Sequence, residues 1–188
     1  MRNSLIDCLV IGTQKAATSW IYQCLKEHPE IELPANKYEV EYLGGNLSQI
    51  YGSDWYFGLM SSREMAIRGD VSVKYLDDAR SPKMVKDYAP NVKLVVILRE
   101  PIARALSAYA WSRKTGFLSP NFPSTAEEMF QLILDKEYQC YPIIKDNLAY
   151  FVTRGFYDNK LFPWFELFDP SAFMIITYDE IQNAPIEV

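Results

Sequence analysis

The sequence predicts an α/β protein, a three-layer domain whose central parallel sheet is flanked by helices. Three observations point there. Two continuous apolar runs, Leu5–Gly12 and Val92–Leu98, read as strands buried on both faces. Each passes within a few residues into a segment of helical period. Shorter runs at Ala66–Val71 and Ala172–Tyr178 alternate with further helical stretches.

The first strand is too short for a signal peptide, carries Asp7, and is followed by no small-residue cleavage site. Its helix runs through Thr18–Glu27, with Ile21, Cys24 and Leu25 on one face, and ends at His28-Pro29 because a residue before proline avoids the helical region. Val92–Leu98 leads through Arg99-Glu100 into a helix that reaches about Thr115. Pro101 suits its first position and Gly116 its stop. Further helices are expected near 82–89, 125–135, 145–153 and 157–168. The spacing of Leu161, Trp164, Phe165 and Phe168 marks them as core. Asn36–Gly52 and Leu118–Pro123 read as loops, the segments in which α/β proteins place their sites.

The chain's 188 residues fit a single domain, and 49% hydrophobic with 23% charged residues excludes a disordered or fibrous chain. Nineteen basic against 24 acidic side chains give a net charge of −5, which argues against a general nucleic-acid binder. No apolar run approaches the roughly 20 residues of a membrane helix. Cys8, Cys24 and Cys140 are odd in number and lack metal-ligand spacing. They are expected to be reduced, packed thiols of a cytoplasmic protein.

Gly12-Thr13-Gln14-Lys15-Ala16-Ala17-Thr18-Ser19 joins the first strand to its helix. Outward amides and the helix dipole favour an anion there, Lys15 adds a full charge, and Thr18 and Ser19 offer hydroxyls that can also cap the helix. The nucleotide-kinase loop places its lysine directly before the hydroxyl residue, whereas Lys15 stands three residues before Thr18. At the second corner, Arg99 can fork onto phosphate oxygens at the strand end, Ser107 follows about two turns along the helix, and Arg104 shares its face.

These motifs resemble the donor site of sulfotransferases that use 3′-phosphoadenylyl sulfate (PAPS), in the heparan sulfate sulfotransferase branch and its bacterial relatives. Lys15-Ala16-Ala17-Thr18-Ser19 is similar to the family's K-[GA]-[GA]-T-[TS] loop, which grips the 5′-phosphosulfate. Because alanines replace the common glycines, the loop is expected to avoid positive φ at Ala16 and Ala17. Leu98-Arg99-Glu100-Pro101-Ile102-Ala103-Arg104-Ala105-Leu106-Ser107-Ala108-Tyr109 resembles L-R-[DE]-P-x-x-R-x-x-S-x-Y, in which the first Arg and the Ser bind the 3′-phosphate. Glu39-Val40-Glu41-Tyr42-Leu43 is similar to E-[VI]-x-F-F. That likeness implies Glu39 as general base, with Glu41 its rival two residues on. Tyr51–Tyr56 resembles a G-x-x-W-Y segment in which Trp55 is expected to pack. Gly69–Leu76 resembles E-K-[ST]-x-x-Y, with Val71 where glycosaminoglycan members carry lysine. Asp70 and Tyr75 are expected to line the acceptor cleft.

The resemblance implies a P-loop-like fold and one sulfotransferase domain over 1–188 that lacks its C-terminal portion. It implies PAPS as co-substrate, PAP as product and no metal. The implied reaction is sulfuryl transfer to a hydroxyl or amine of a small-molecule or glycan acceptor, a carbohydrate above all. Alternatives at this level are a P-loop nucleotide kinase and a PAPS- or PAP-binding module without turnover. Oligomeric state has no signature in the sequence.

Overall fold

The computed structural model describes residues 6–35, 38–60, 67–118, 122–135 and 150–184. It divides into two compact units, Met1–Arg99 with Asp158–Val188, and Glu100–Tyr157. The sequence reading expects one domain over 1–188.

The first unit is built on a parallel five-stranded sheet in the order β2-β3-β1-β4-β5. Strand β1 is Cys8–Gly12, β2 Ile31–Glu32, β3 Ile67–Val71, β4 Lys93–Leu98 and β5 Phe173–Thr177. Four strands match the predicted runs to within a few residues. β2, with two residues, is too short to show any period. Its helices are α1 Thr18–Glu27, α2 Leu47–Ile50, α3 Ser53–Phe57 and α4 Ser81–Tyr88, then α7 Tyr157–Phe165 and α8 Tyr178–Asn183. The one-turn helices α2 and α3 lie in and just after the stretch read as loop.

Leu9, Val10 and Ile11 are all buried, as a central strand covered on both faces requires. On one face Val10, Val71, Ile97 and Ile176 pack with Ile21 of α1 and Ile181 of α8. Ala16 of the first corner is part of this cluster. After β1 the chain builds β3 and β2 on one side, then crosses to β4 and β5 on the other. The carboxyl ends of β1 and β4 therefore form the topological switch point, where α/β sheets leave a crevice.

The second unit holds α5, Pro101–Lys114, and α6, Ala126–Leu134. Its core is Tyr109, Phe122, Met129 and Phe151. Glu100 caps α5, its carboxylate accepting from the amides of Ile102 (2.9 Å) and Ala103 (2.6 Å), and Pro101 takes the first helical position as expected. Gly116 follows at φ 71°. Thr125 and Glu128 close a capping box on α6. The helix expected at 145–153 lies largely outside the described residues, although residues 150–153 are helical.

Two core expectations are corrected. Leu161, Trp164 and Phe168 are buried, but Phe165 is exposed and meets Phe173 edge-on at 4.8 Å. Cys24 is an exposed free thiol, because the later part of α1 leaves the core, with Gln23, Lys26 and Glu27 exposed beside it, whereas Cys8 is partly buried. Burial, then the charge of Asp7, pushes the Cys8 thiol pKa up. Cys140 lies outside the described residues.

Candidate functional site

The first corner is drawn tight before it opens. Gly12 leaves β1 at φ 157°, and a Cβ there would come within 3.1 Å of Leu76 Cβ. The Thr13 amide then bonds the Ile97 carbonyl at 3.0 Å, tying the loop to β4. Lys15 (φ 69°) and Ala17 (φ 64°) adopt left-handed backbone, with Ala16 between them. This corrects the expectation for Ala17. The loop keeps the glycine-type turn with an alanine in it, at a cost of about 1–2 kcal/mol for the crowded Cβ.

We therefore expect Ala17→Gly to raise thermal stability by about 0.5–1 kcal/mol, a few degrees in Tm by differential scanning calorimetry. A fall in Tm would contradict the left-handed assignment.

Ala17 also occupies the cap of α1, its carbonyl accepting from Trp20 and Ile21, so neither Thr18 nor Ser19 caps the helix. Both hydroxyls fall in the first turn. Ser19 is exposed, and Thr18 Oγ1 lies 3.3 Å from the Tyr38 hydroxyl. Ala16 is less open to a ligand than expected: its side chain is buried, and its amide donates to the Thr13 carbonyl at 3.3 Å.

The second corner meets the first. Arg99 Nη1 donates to the Lys15 carbonyl oxygen at 2.8 Å. The Arg99 guanidinium also lies 4.1 Å from the ring centre of Tyr178. Strand register explains this contact. Leu98 pairs with Thr177, so Arg99 and Tyr178 leave neighbouring strands side by side. The sequence alone carries no such pairing, and places Tyr178 only at the end of a late strand. Burial, then the Arg99 charge, holds the Lys15 ammonium pKa below its ordinary value.

Glu39 reaches the corner through Tyr38. The Tyr38 ring meets Tyr22 of α1 edge-on at 4.9 Å. Burial is the main reason its phenol pKa is raised; the Thr18 hydrogen bond opposes the rise, while the charge and hydrogen bonding of Glu39 add to it. One phenol thus touches both the donor loop and the expected base. Glu39 (φ 59°) and Glu41 (φ 58°) are left-handed as well. Among the described residues, the non-glycine residues with positive φ are these two, Lys15 and Ala17. All four lie in the two loops singled out for chemistry, where backbone strain tends to be stored.

Segment 70–78 anchors the Glu39 loop. Lys74 Nζ bonds Glu41 Oε2 at 2.8 Å, the Leu43 amide donates to Tyr75 Oη at 3.4 Å, and the Gly45 amide donates to Asp78 Oδ2 at 2.7 Å. Asp70 and Tyr75 do not line an open cleft as expected. They are 2% and 0% exposed. Asp70 Oδ2 accepts from Tyr56 at 2.6 Å and Tyr75 at 2.7 Å, while its Oδ1 accepts from the Val71 amide at 2.7 Å. Burial raises the Asp70 pKa against these bonds. They brace the loop from behind.

Ser107, half-buried two turns into α5, belongs to the second unit. Arg104, expected on the same helix face, is fully buried and donates to the Phe151 carbonyl.

The family model for the sulfotransferase domain matches residues 5–188. The chain belongs to the sulfotransferase domain family. Its relatives include the bifunctional heparan sulfate N-deacetylase/N-sulfotransferase 1 of Caenorhabditis elegans, 26% identical over 98% of this chain and 21% of that protein. Heparan sulfate glucosamine 3-O-sulfotransferase 6 of Mus musculus is 25% identical over 98% of this chain and 50% of its own length. The chain thus spans between a fifth and a half of these curated relatives. A sulfotransferase from Alicyclobacillus acidocaldarius shares the fold, with a TM-score of 0.77 at 22% identity over 97% of this chain and 76% of that one. Mouse sulfotransferase SULT7A1, solved with PAP, has a TM-score of 0.56 at 18% identity over 100% of this chain and 57% of that one. The sulfotransferase fold therefore accounts for the five parallel strands and for the P-loop-like corner after β1.

Proposed function

We propose that this chain transfers the sulfuryl group of PAPS to a hydroxyl or amine of a carbohydrate acceptor, releasing PAP. The observation that carries the reading is the Arg99 bond to the Lys15 carbonyl, which brings the two anion-binding corners together at the switch point of the sheet. The family membership and the heparan sulfate enzymes among the relatives support it.

The residues present suit such a donor. Lys15 and the first-turn amides of α1 would meet the 5′-phosphosulfate, and Arg99 the 3′-phosphate; the assignment of Ser107 to that phosphate rests on the family resemblance alone. Glu39 would take the acceptor's proton as the acceptor oxygen or nitrogen bonds sulfur and the sulfur–oxygen bond to the 5′-phosphate breaks. Lys15 would stabilise the charge that grows on the departing phosphate. A cytoplasmic location is part of the proposal, supported by the odd, unclustered cysteines.

Calorimetry with PAP is the direct test: saturable binding is expected, and its absence from the intact protein overturns the reading. The pH dependence adds a signature of Lys15. An anion binds the protonated ammonium, whose pKa is lowered in the free protein. Affinity should therefore be full below that pKa and fall by up to about tenfold per unit above it, followed from about pH 7 to about pH 10, with proton uptake on binding. Lys15→Arg should flatten the profile, since a guanidinium stays charged throughout. An unchanged profile in that variant would remove Lys15 from the site.

A further inference from the structure

The described part of the Glu39 loop, which Lys37 precedes in the sequence, is acidic and aromatic. Residues 38–60 contain Glu39, Glu41 and Asp54, and no Lys, Arg or His. The anchoring segment adds Asp70, Asp77 and Asp78 against Lys74 and Arg80. The nearby cations are engaged: Lys74 pairs with Glu41 at 2.8 Å, Arg80 with Asp78 at 2.7 Å, and Lys160 of α7 with Asp77 at 3.4 Å. Lys15 and Arg99 stand at the donor corner.

In place of cations the segment offers rings. Tyr51 and Trp55 stack at 4.4 Å with 17° between their planes, and Tyr51 is 41% exposed. Buried Tyr42, three residues from Glu39, supports this stack. Its hydroxyl donates to the Tyr51 carbonyl at 3.2 Å, and its ring stands 6.2 Å from Trp55. Burial, then Tyr88, raises the Tyr42 phenol pKa, and the charge of Asp54 adds a smaller push.

Resting on the donor reading above, we propose that the acceptor is an uncharged glycan, seated on the Tyr51–Trp55 stack, and not a polyanion of the heparan sulfate kind. A polyanion would meet a described segment 38–60 whose charged residues are Glu39, Glu41 and Asp54, beside Lys74, Arg80 and Lys160 that are already paired with carboxylates, and like-charge juxtaposition of this sort is costly. A neutral sugar presents apolar C–H faces to a flat ring and hydroxyls to surrounding carboxylates, which matches what the segment offers.

The test uses the full chain saturated with PAP. It is titrated with a set of neutral oligosaccharides that includes N-acetylated chitohexaose, with the fully deacetylated hexaose, and with a heparin hexasaccharide, by calorimetry and tryptophan fluorescence. The neutral set should contain the tightest ligand, with an affinity that salt changes little. Tyr51→Ala, or Trp55→Phe should the first variant fail to fold, should weaken it by roughly three- to tenfold without moving PAP affinity. Equal or tighter binding of the heparin or the deacetylated sugar overturns the proposal, as does binding of PAP with no neutral ligand. Absence of PAP binding overturns the donor reading itself.

Discussion

Glu39→Gln should leave PAP affinity unchanged and cut the sulfuryl-transfer rate by about 10²- to 10⁴-fold, the usual worth of a positioned general base. Glutamine keeps the length and the hydrogen-bonding capacity that Tyr38 meets, and removes only the ability to accept the acceptor's proton. Glu41→Gln is the decisive companion. Glu41 is held by Lys74 at 2.8 Å, so its carboxylate is already committed to a cation. That substitution should cost activity only modestly, through a looser loop. Transfer of labelled sulfate from PAPS measures both. Should Glu41→Gln abolish transfer while Glu39→Gln spares it, the base has been assigned to the wrong carboxylate.

Arg99→Ala should weaken PAP binding by roughly 10- to 150-fold, the range for losing a charged hydrogen-bonding partner of about 1.5–3 kcal/mol. The fold should survive. The protein forfeits one bond to the Lys15 carbonyl and the contact with Tyr178, about 1–2 kcal/mol together, so Tm should fall by several degrees at most. Arg99→Lys separates charge from shape. It retains the positive charge and loses the planar fork, so an intermediate affinity is expected. Full affinity in Arg99→Ala, measured by calorimetry, would detach the second corner from the nucleotide.

Much of the scaffold was legible from residues alone because it is written in local signals. Leu9-Val10-Ile11 and Leu94–Leu98 are apolar without interruption, and Pro101 and Gly116 mark helix ends by their own backbone preferences. Lys15 and Arg99 were legible as candidates because each stands where a strand becomes a helix. What escaped depends on partners distant in the chain. The burial of Asp70 rests on hydroxyls from Tyr56 and Tyr75, and an aspartate read alone looks like a surface group. Tyr178 acquires meaning only through the β4–β5 register. The left-handed Ala17 is not legible from the sequence, because propensity argues against it by only about a kilocalorie or two, an amount that the packing of Ala16 and the Thr13 tie can outweigh.

The closeness of Lys15 to Arg99 carries a practical consequence. The Arg99 charge acts on Lys15 as a standing repulsion, and a multivalent oxyanion bound by both would relieve it. The purified protein should accordingly melt later in phosphate or sulfate than in chloride of equal ionic strength, by the mass-action gain of a weak ligand. Storage and crystallisation media would then be occupants of the donor corner, and affinities measured in them would understate those measured without.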